Sequence, residues 1–583
     1  MTGMHTRLMT TATLFLSLLA TTAMAQTIAE VPRKETVIFE NVEGRVAIPG
    51  NMNPYIAGQN LDSGVWQATQ ESLFYNNLES GRIEPWLAES ATYNADATSV
   101  TIKLRPGVTW SDGVAFTSAD VAFTIEMLKA HPGLSYAADM SAWVTSVETP
   151  DPATVVINLT KSNPRFIVNY FSVRIFAALV IAPKHVWEGV DPMTFTNYDL
   201  DKGWPLGTGP YRLVRSTETE TVFDRRDDWW AARTGFHALP APKRAIWTGV
   251  GTEDARAAMA VNGDLDAIWV LSRSTFEIAK QRNGAIAGWT DEPPYAYLDA
   301  CPRMLYLNTA AKPFDDLKVR RALNHAINRE QIAAIAFEGM TEPSGSLFPP
   351  YAKLKAFLDR NAALFDAHPV IDHDLAKSEA LMTEAGFTKN GDGIWTGGAG
   401  QPISFTMITP TGEADMLKMG NVIAAQLRAA GFDANFKPVE MSVYYTDVST
   451  GTATVYIRGV CGSVTDPYDS FDLFHGRRAA PIGEAADGPF ASRFKNADFD
   501  ATLDTMAVTS PDDPAYDGLA DKALRIWTEE LPAIPLVQAR LLTPFSNANW
   551  TNWPTARNNY FQPGHWWLSG SQILINLKPA EAK

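Results

Sequence analysis

The hydrophobic pattern of this chain switches repeatedly between a period of two and a period near 3.6, and that alternation restricts its fold more than any other feature. Val100, Ile102 and Leu104 alternate with Thr101, Lys103 and Arg105, as in a half-buried strand. Pro106-Gly107 then turns the chain. Thr117 followed by Asp120 reads as a helix N-cap with its partner, and Val121, Ile125 and Leu128 continue at helical spacing. Val155, Ile157 and Leu159 repeat the strand pattern. Strands interleaved with helices predict an α/β protein.

Further helices are predicted downstream. Asp315 and Asp316 can cap one whose apolar stripe is Val319, Leu323, Ala326 and Ile327, with Lys318, Arg320 and Arg321 on the other face. Asp374–Phe387 and Asn421–Phe432 read as two more, each meeting Gly near its C-terminal end, and Asp517–Leu531 as the last long one, stopped by Pro532. No tandem repeat or long low-complexity linker interrupts the chain.

The first residues read as an export signal: Arg7, an apolar run at Leu14–Ala20, and a small-x-small site at Ala23-Met24-Ala25. Cleavage after Ala25 is expected, with a periplasmic destination. The alternative, a membrane anchor, needs an apolar run of roughly 20 residues, which this one does not reach. No Cys lies near the cleavage site, which argues against a lipid anchor. The remaining chain is too long for one small core and fits two or three structural units. A formal charge of −16 argues against nucleic acid and anionic membranes as partners. The two Cys, Cys301 and Cys461, suggest one disulfide in an exported protein, with two free buried thiols as the alternative.

Catalytic motifs are missing from the sequence. There is no G-x-S-x-G elbow, no H-E-x-x-H helix and no phosphate-binding loop. His185, His237, His325, His373, His475 and His565 have no ligand-like spacing, so no metal and no cofactor are expected. Asp466, Asp469 and Asp472 recur every three residues without the glycine or terminal Glu of a calcium loop, and read as caps and turns. A secreted hydrolase remains a remote alternative, because catalytic triads are often scattered.

Four segments occur in a fixed order: Thr101–Ile125, Gly207–Tyr211 (GTGPY), Asn308–Ile332 and Arg458–Phe474. Together they resemble the large solute-binding proteins of ABC importers, the family of the oligopeptide-, dipeptide- and nickel-binding proteins. The resemblance implies a two-lobed periplasmic-binding-protein-like fold with an extra inserted subdomain. It places residues 26–300 and 541–583 in the first lobe, the insert at about 71–204, and 301–540 in the second lobe. It implies a monomeric receptor that binds a small solute and docks on a membrane permease, not an enzyme. A Cys pair at matching places in related binding proteins adds to the disulfide expectation.

The same resemblance bears on the ligand. Peptide-binding relatives carry approximately G-W-C-A-D in the fourth segment, and the Asp pairs with the peptide's α-amino group. Here the matching residues are Gly459-Val460-Cys461-Gly462-Ser463, so Ser463 stands where the carboxylate should be. A desolvated ammonium needs a counter-charge that Ser lacks, unless an acid such as Asp466 or Glu292 substitutes. The 17 Trp and 17 Tyr offer flat faces for sugars, although most Trp in a chain of this size are packing residues. Adjacent Trp566 and Trp567 resemble the carbohydrate-binding members. Trp229 and Trp230 read as packing. Trp269, expected to end a strand near the cleft, and Trp66 are the candidate stacking residues, and Arg458, Ser463, Asp466, Tyr468 and Asp469 the candidate polar ones. A neutral oligosaccharide or glycoside is the expected ligand, ahead of a peptide or an opine-like amino-acid–sugar conjugate, with a metal chelate as a minor option.

Overall fold

Strand Arg303–Leu307 shows how the sequence builds its central sheet. Its residues are all buried, yet they divide by alternation. Leu305 and Leu307 join one apolar core with Met407, Val455 and Ile457, while Met304 and Tyr306 join another with Ile408 and Tyr456. The sheet is therefore covered on both faces, which accounts for near-continuous apolar strands. Its five strands run in the order Asp433–Val439, Ser404–Pro410, Val455–Gly459, Arg303–Leu307, Ala533–Val537. The first three are mutually parallel, and Arg303–Leu307 is antiparallel to both of its neighbours.

The computed structural model describes residues 28–56, 63–78, 80–176, 178–398, 400–486 and 492–581. The export signal read in residues 1–25 lies outside them. Among the described residues no helix is long and apolar enough to cross a membrane.

A second group of cores is built from earlier residues and the C-terminal segment. One four-stranded sheet has the order Thr36–Asn41, Arg244–Gly249, Glu220–Arg225, Tyr211–Ser216, and its core includes Phe39 stacked on Trp247 at 4.6 Å. Another, antiparallel throughout, has the order Ala88–Tyr93, Ser99–Leu104, Thr154–Leu159, Val144–Asp151 and carries helix Ser118–Ala130. The predicted cap is present there: Asp120 Oδ2 accepts from the Thr117 backbone N–H at 2.8 Å. In the GTGPY turn, a Cβ on Gly207 would lie 1.8 Å from the Thr69 carbonyl oxygen, so only glycine fits. Trp229 and Trp230 are fully buried packing residues.

The architecture is α/β with two lobes. Two short strands far apart in sequence pair as an antiparallel ladder, Tyr297 with Leu541 and Leu298 with Arg540. Two helix boundaries differ from the sequence expectation. The helix expected from Asn421 runs Ala414–Ala429, with Gly420 inside it. A Cβ on Gly420 would come 2.2 Å from the Phe436 ring, so the glycine is there for close helix–sheet packing, not as a break. The last long helix is Pro514–Glu530, with Asp513 capping and Pro at its first position.

Candidate functional site

Several of these elements converge on a cavity of about 490 Å³, within the ~300–1,000 Å³ typical of small-molecule sites. One wall is aromatic. Residues 265–268 are buried, but Ala267 alone pairs, bridging Phe39 and Phe545, so the strand expected to end at Trp269 is a single bridge. Asp266 fixes this segment by accepting from the Ile38 N–H at 2.9 Å and pairing with Arg33. Trp269 then emerges half-buried into the cavity. Its backbone N–H donates to Glu40 Oε2 at 2.8 Å. Burial pushes the Glu40 carboxyl up to about 7, against the pull of Arg256 and of that N–H. The Arg256 guanidinium lies 5.7 Å from the Trp269 ring centre. Trp566 stands edge-on to Trp269 at 6.5 Å, and Trp567 packs edge-on against Trp566 and Phe176 at 5.8 and 5.2 Å. His565, behind Trp566, is buried and held down to about 4 by that burial.

The rest of the lining is rich in charged groups. Arg303, the charged first residue of its strand, is buried between two carboxylates, Asp415 at 2.7 Å and Asp299 at 3.3 Å. Burial pushes Asp299 up to about 6, opposed by Arg303 and assisted by Asp415. Its Oδ1 is buried without a hydrogen-bond partner. Glu413 precedes helix Ala414–Ala429, and its side chain does not cap it. Burial and then Asp415 raise its pKa above the ordinary glutamate range. Arg458 projects from strand Val455–Gly459; its Nη2 donates to the Tyr445 hydroxyl at 2.8 Å and its Nη1 is buried without a partner. The disulfide between Cys301 and Cys461 is formed, and both cysteines line the cavity.

Of the residues singled out from sequence, Trp269, Trp566, Trp567, Arg458, Cys301 and Cys461 line this cavity, and Trp66, Glu292, Ser463, Asp466, Tyr468 and Asp469 do not. Ser463 is fully buried: its N–H donates to Ser470 Oγ at 2.8 Å, and its Oγ accepts from the Ser470 N–H at 2.9 Å. Asp466 pairs with Arg165 and accepts from the Tyr516 hydroxyl. Tyr468 lies over the Arg165 guanidinium at 4.7 Å, and its hydroxyl donates to Asp472 at 3.0 Å. Asp469 pairs with Arg174 at 2.7 Å. Trp66 packs against the core that includes Tyr75 and Trp86 and is not a lining residue. Glu292, weighed as a substitute amine anchor, is exposed and not a lining residue. Sequence reasoning missed Glu40, Arg256, Asp299, Arg303, Glu413 and Asp415. Arg303 had a usable signal, a lone charge opening an otherwise apolar strand.

The family is settled by comparison. Residues 82–480 match the family model "Bacterial extracellular solute-binding proteins, family 5 Middle". The chain belongs to that family. It is 28% identical over 347 residues to the glutathione-binding protein GsiB of Salmonella typhi, covering 59% of this chain and 61% of that one. The chain thus spans about three fifths of that curated relative's length. Among solved structures, the periplasmic oligopeptide-binding protein of Thermotoga maritima is 25% identical with a TM-score of 0.83, covering 94% of this chain and 100% of that one. The mannohexaose-bound structure of that protein gives a TM-score of 0.78 at 25% identity, over 95% and 100% of the two chains.

Proposed function

We propose that this protein is the periplasmic receptor of an ABC importer, binding an oligosaccharide or glycoside between its lobes and delivering it to the membrane permease. The observation that carries this reading is a single cavity lining that combines Trp269, Trp566 and Trp567 with hydrogen-bonding Asp299, Arg303 and Arg458. A sugar presents an apolar ring face and an edge of hydroxyls, and so needs both. A relative of this architecture binds mannohexaose, which supports the sugar class. We assign 26–300 with 541–583 to one lobe and 301–540 to the other; the pairing of residues 297–298 with 540–541, next to both boundaries, supports that division. Two side-by-side strands suit a hinge, and closing the lobes would bury the solute. The family is one of solute-binding proteins, which supports binding over catalysis.

A peptide or opine is the second reading. It is favoured by Glu413 and Asp299, which could supply the negative charge missing at Ser463. A thermal-shift screen of sugars, peptides and opines tests the choice. A ligand at 100 times its Kd should add about 2.7 kcal/mol of stability. Micromolar binding of a sugar with no response to di- to pentapeptides is the expected result. Tight peptide binding with no response to any sugar would end the carbohydrate reading.

A further inference from the structure

Glu40 is a buried acid that faces no solute. It sits on strand Thr36–Asn41, is 2% exposed and is not a lining residue of the cavity. A carboxyl in such a place is costly unless its oxygens are met. Both are met by groups that bear on one indole. Oε2 accepts from the Trp269 backbone N–H at 2.8 Å, and Oε1 lies 3.4 Å from Arg256 Nε. Arg256 donates through Nη2 to the Val270 carbonyl at 2.9 Å, and its guanidinium lies 5.7 Å from the centre of the Trp269 ring. The carboxylate thus holds the Trp269 backbone directly and flanks its ring through the arginine. A neutral amide at position 40 could accept from the N–H, but it would not draw Arg256 to the ring.

The backbone of the same residue reaches a second indole. The Glu40 N–H donates to the Ala267 carbonyl at 3.0 Å, tying the strand to the segment that leads into Trp269. The Glu40 carbonyl lies 3.1 Å from His565 Nε2. A carbonyl only accepts, so that ring nitrogen carries the proton and donates. His565 is buried and stands edge-on to Trp566 at 5.1 Å. Trp269 and Trp566 meet at 6.5 Å with their planes 79° apart. Trp269 lies 229 residues from Glu40 and His565 lies 525 from it, so no local structure sets that angle. Glu40 touches the supports of both rings.

We infer that Glu40 is the positioning residue of the aromatic lining: it meets no solute itself and fixes Trp269 and Trp566 at the angle at which a sugar encounters them. This rests on the reading of the cavity as a sugar site. Holding the indoles in place before the solute arrives removes their ordering cost from binding.

Glu40→Met tests it, because methionine keeps the volume and removes both acceptor and charge. The first measurement needs no ligand. The near-UV circular dichroism of Trp269 is the wild-type spectrum minus that of Trp269→Phe. Most of that difference should vanish when it is taken in the Glu40→Met background, and Glu40→Gln should restore part of it. The second measurement is calorimetry with cellobiose, maltose, mannobiose and trialanine. For the disaccharide that wild type binds most tightly, Glu40→Met should weaken binding at least about fivefold, and Glu40→Gln less. The same change made in Trp269→Ala should cost far less than in wild type, as residues acting through one contact do. If Glu40→Met does not fold, Glu40→Asp, which keeps the charge and draws the acceptor back by a methylene, takes its place with the same expectations. An unchanged Trp269 signal, or an equal loss of affinity in both backgrounds, would overturn the positioning role and leave the sugar reading intact. Binding of trialanine alone, or of no probe, would overturn the sugar reading and with it the stacking role of the positioned indoles.

Discussion

Residues 458–472 supply charges to two places, and the contrast between them is instructive. Asp466, Asp469 and Asp472 are each taken by arginine: Arg165, Arg174, and the pair Arg477 and Arg478. Arg165 goes further, donating through Nη1 to the Met506 carbonyl at 3.0 Å and lying between the rings of Tyr468 and Tyr516. Phe166 and Ile167 beside it belong to the core of the 88–159 sheet, whereas Met506 and Tyr516 belong to a core of the five-stranded sheet. These ionic contacts therefore join two separate cores. Eight residues before Asp466, Arg458 has no acid. A charge fully met by protein does structural work, and one left unmet in a cavity is available to a solute.

The largest expected effect tests the structural half of that contrast. Arg165→Met should cost about 3–5 kcal/mol in urea denaturation, because it strands the nearly buried Asp466. A loss under ~1 kcal/mol would break the comparison. Next comes His565, behind the aromatic wall. Its folded pKa of about 4 lies below its ordinary 6.5. Between those values the unfolded chain binds the extra proton, so stability falls as pH drops from 6.5 towards 4, by about 3 kcal/mol. Glu40, raised to about 7, works with the opposite sign: its contribution is present at low pH and fades as pH rises through 7. The difference between wild type and His565→Gln across that range isolates the histidine, and parallel curves would refute its neutral burial.

Trp269→Ala should weaken the best sugar of the screen by more than tenfold, about 1.4 kcal/mol, with little change in melting temperature. An unchanged affinity would mean that the indole is packing and not a stacking face. The smallest effect is expected for Arg174→Ala. Its pair with Asp469 is partly exposed, with 25% and 18% of the side chains accessible, so about 1 kcal/mol or less is expected. A loss as large as that of Arg165→Met would sharpen the comparison by giving the join two equal halves.

The fold was legible where a local pattern suffices. Alternation marked the strands at 99–104 and 154–159, and Thr117 with Asp120 marked a capping box. The site was legible only in part. Trp269 was singled out and lines the cavity, but Glu40, which accepts from its backbone N–H, lies 229 residues away and carries no sign of that role in its neighbours. Ser463 misled because the retained frame around it is structural: a serine pair, Ser463 with Ser470, closes the turn where the relatives place an acid. The helix read from Asn421 begins at Ala414, and the Gly420 inside it packs against Phe436, a contact that its neighbours in sequence do not reveal.

The disulfide gives the cavity a chemical clock. Cys301 is 3% exposed and Cys461 is half-buried, and both line the space the solute would fill. A reductant reaching the sulfurs through that space must wait for it to empty. The half-time of bridge reduction would then lengthen with solute concentration, saturating as the sites fill. Thiol release timed under a fixed dose of reductant would report occupancy for colourless solutes, in unlabelled protein, with the native bridge as its own probe. A release rate indifferent to solute would mean that the sulfurs are reached by another path.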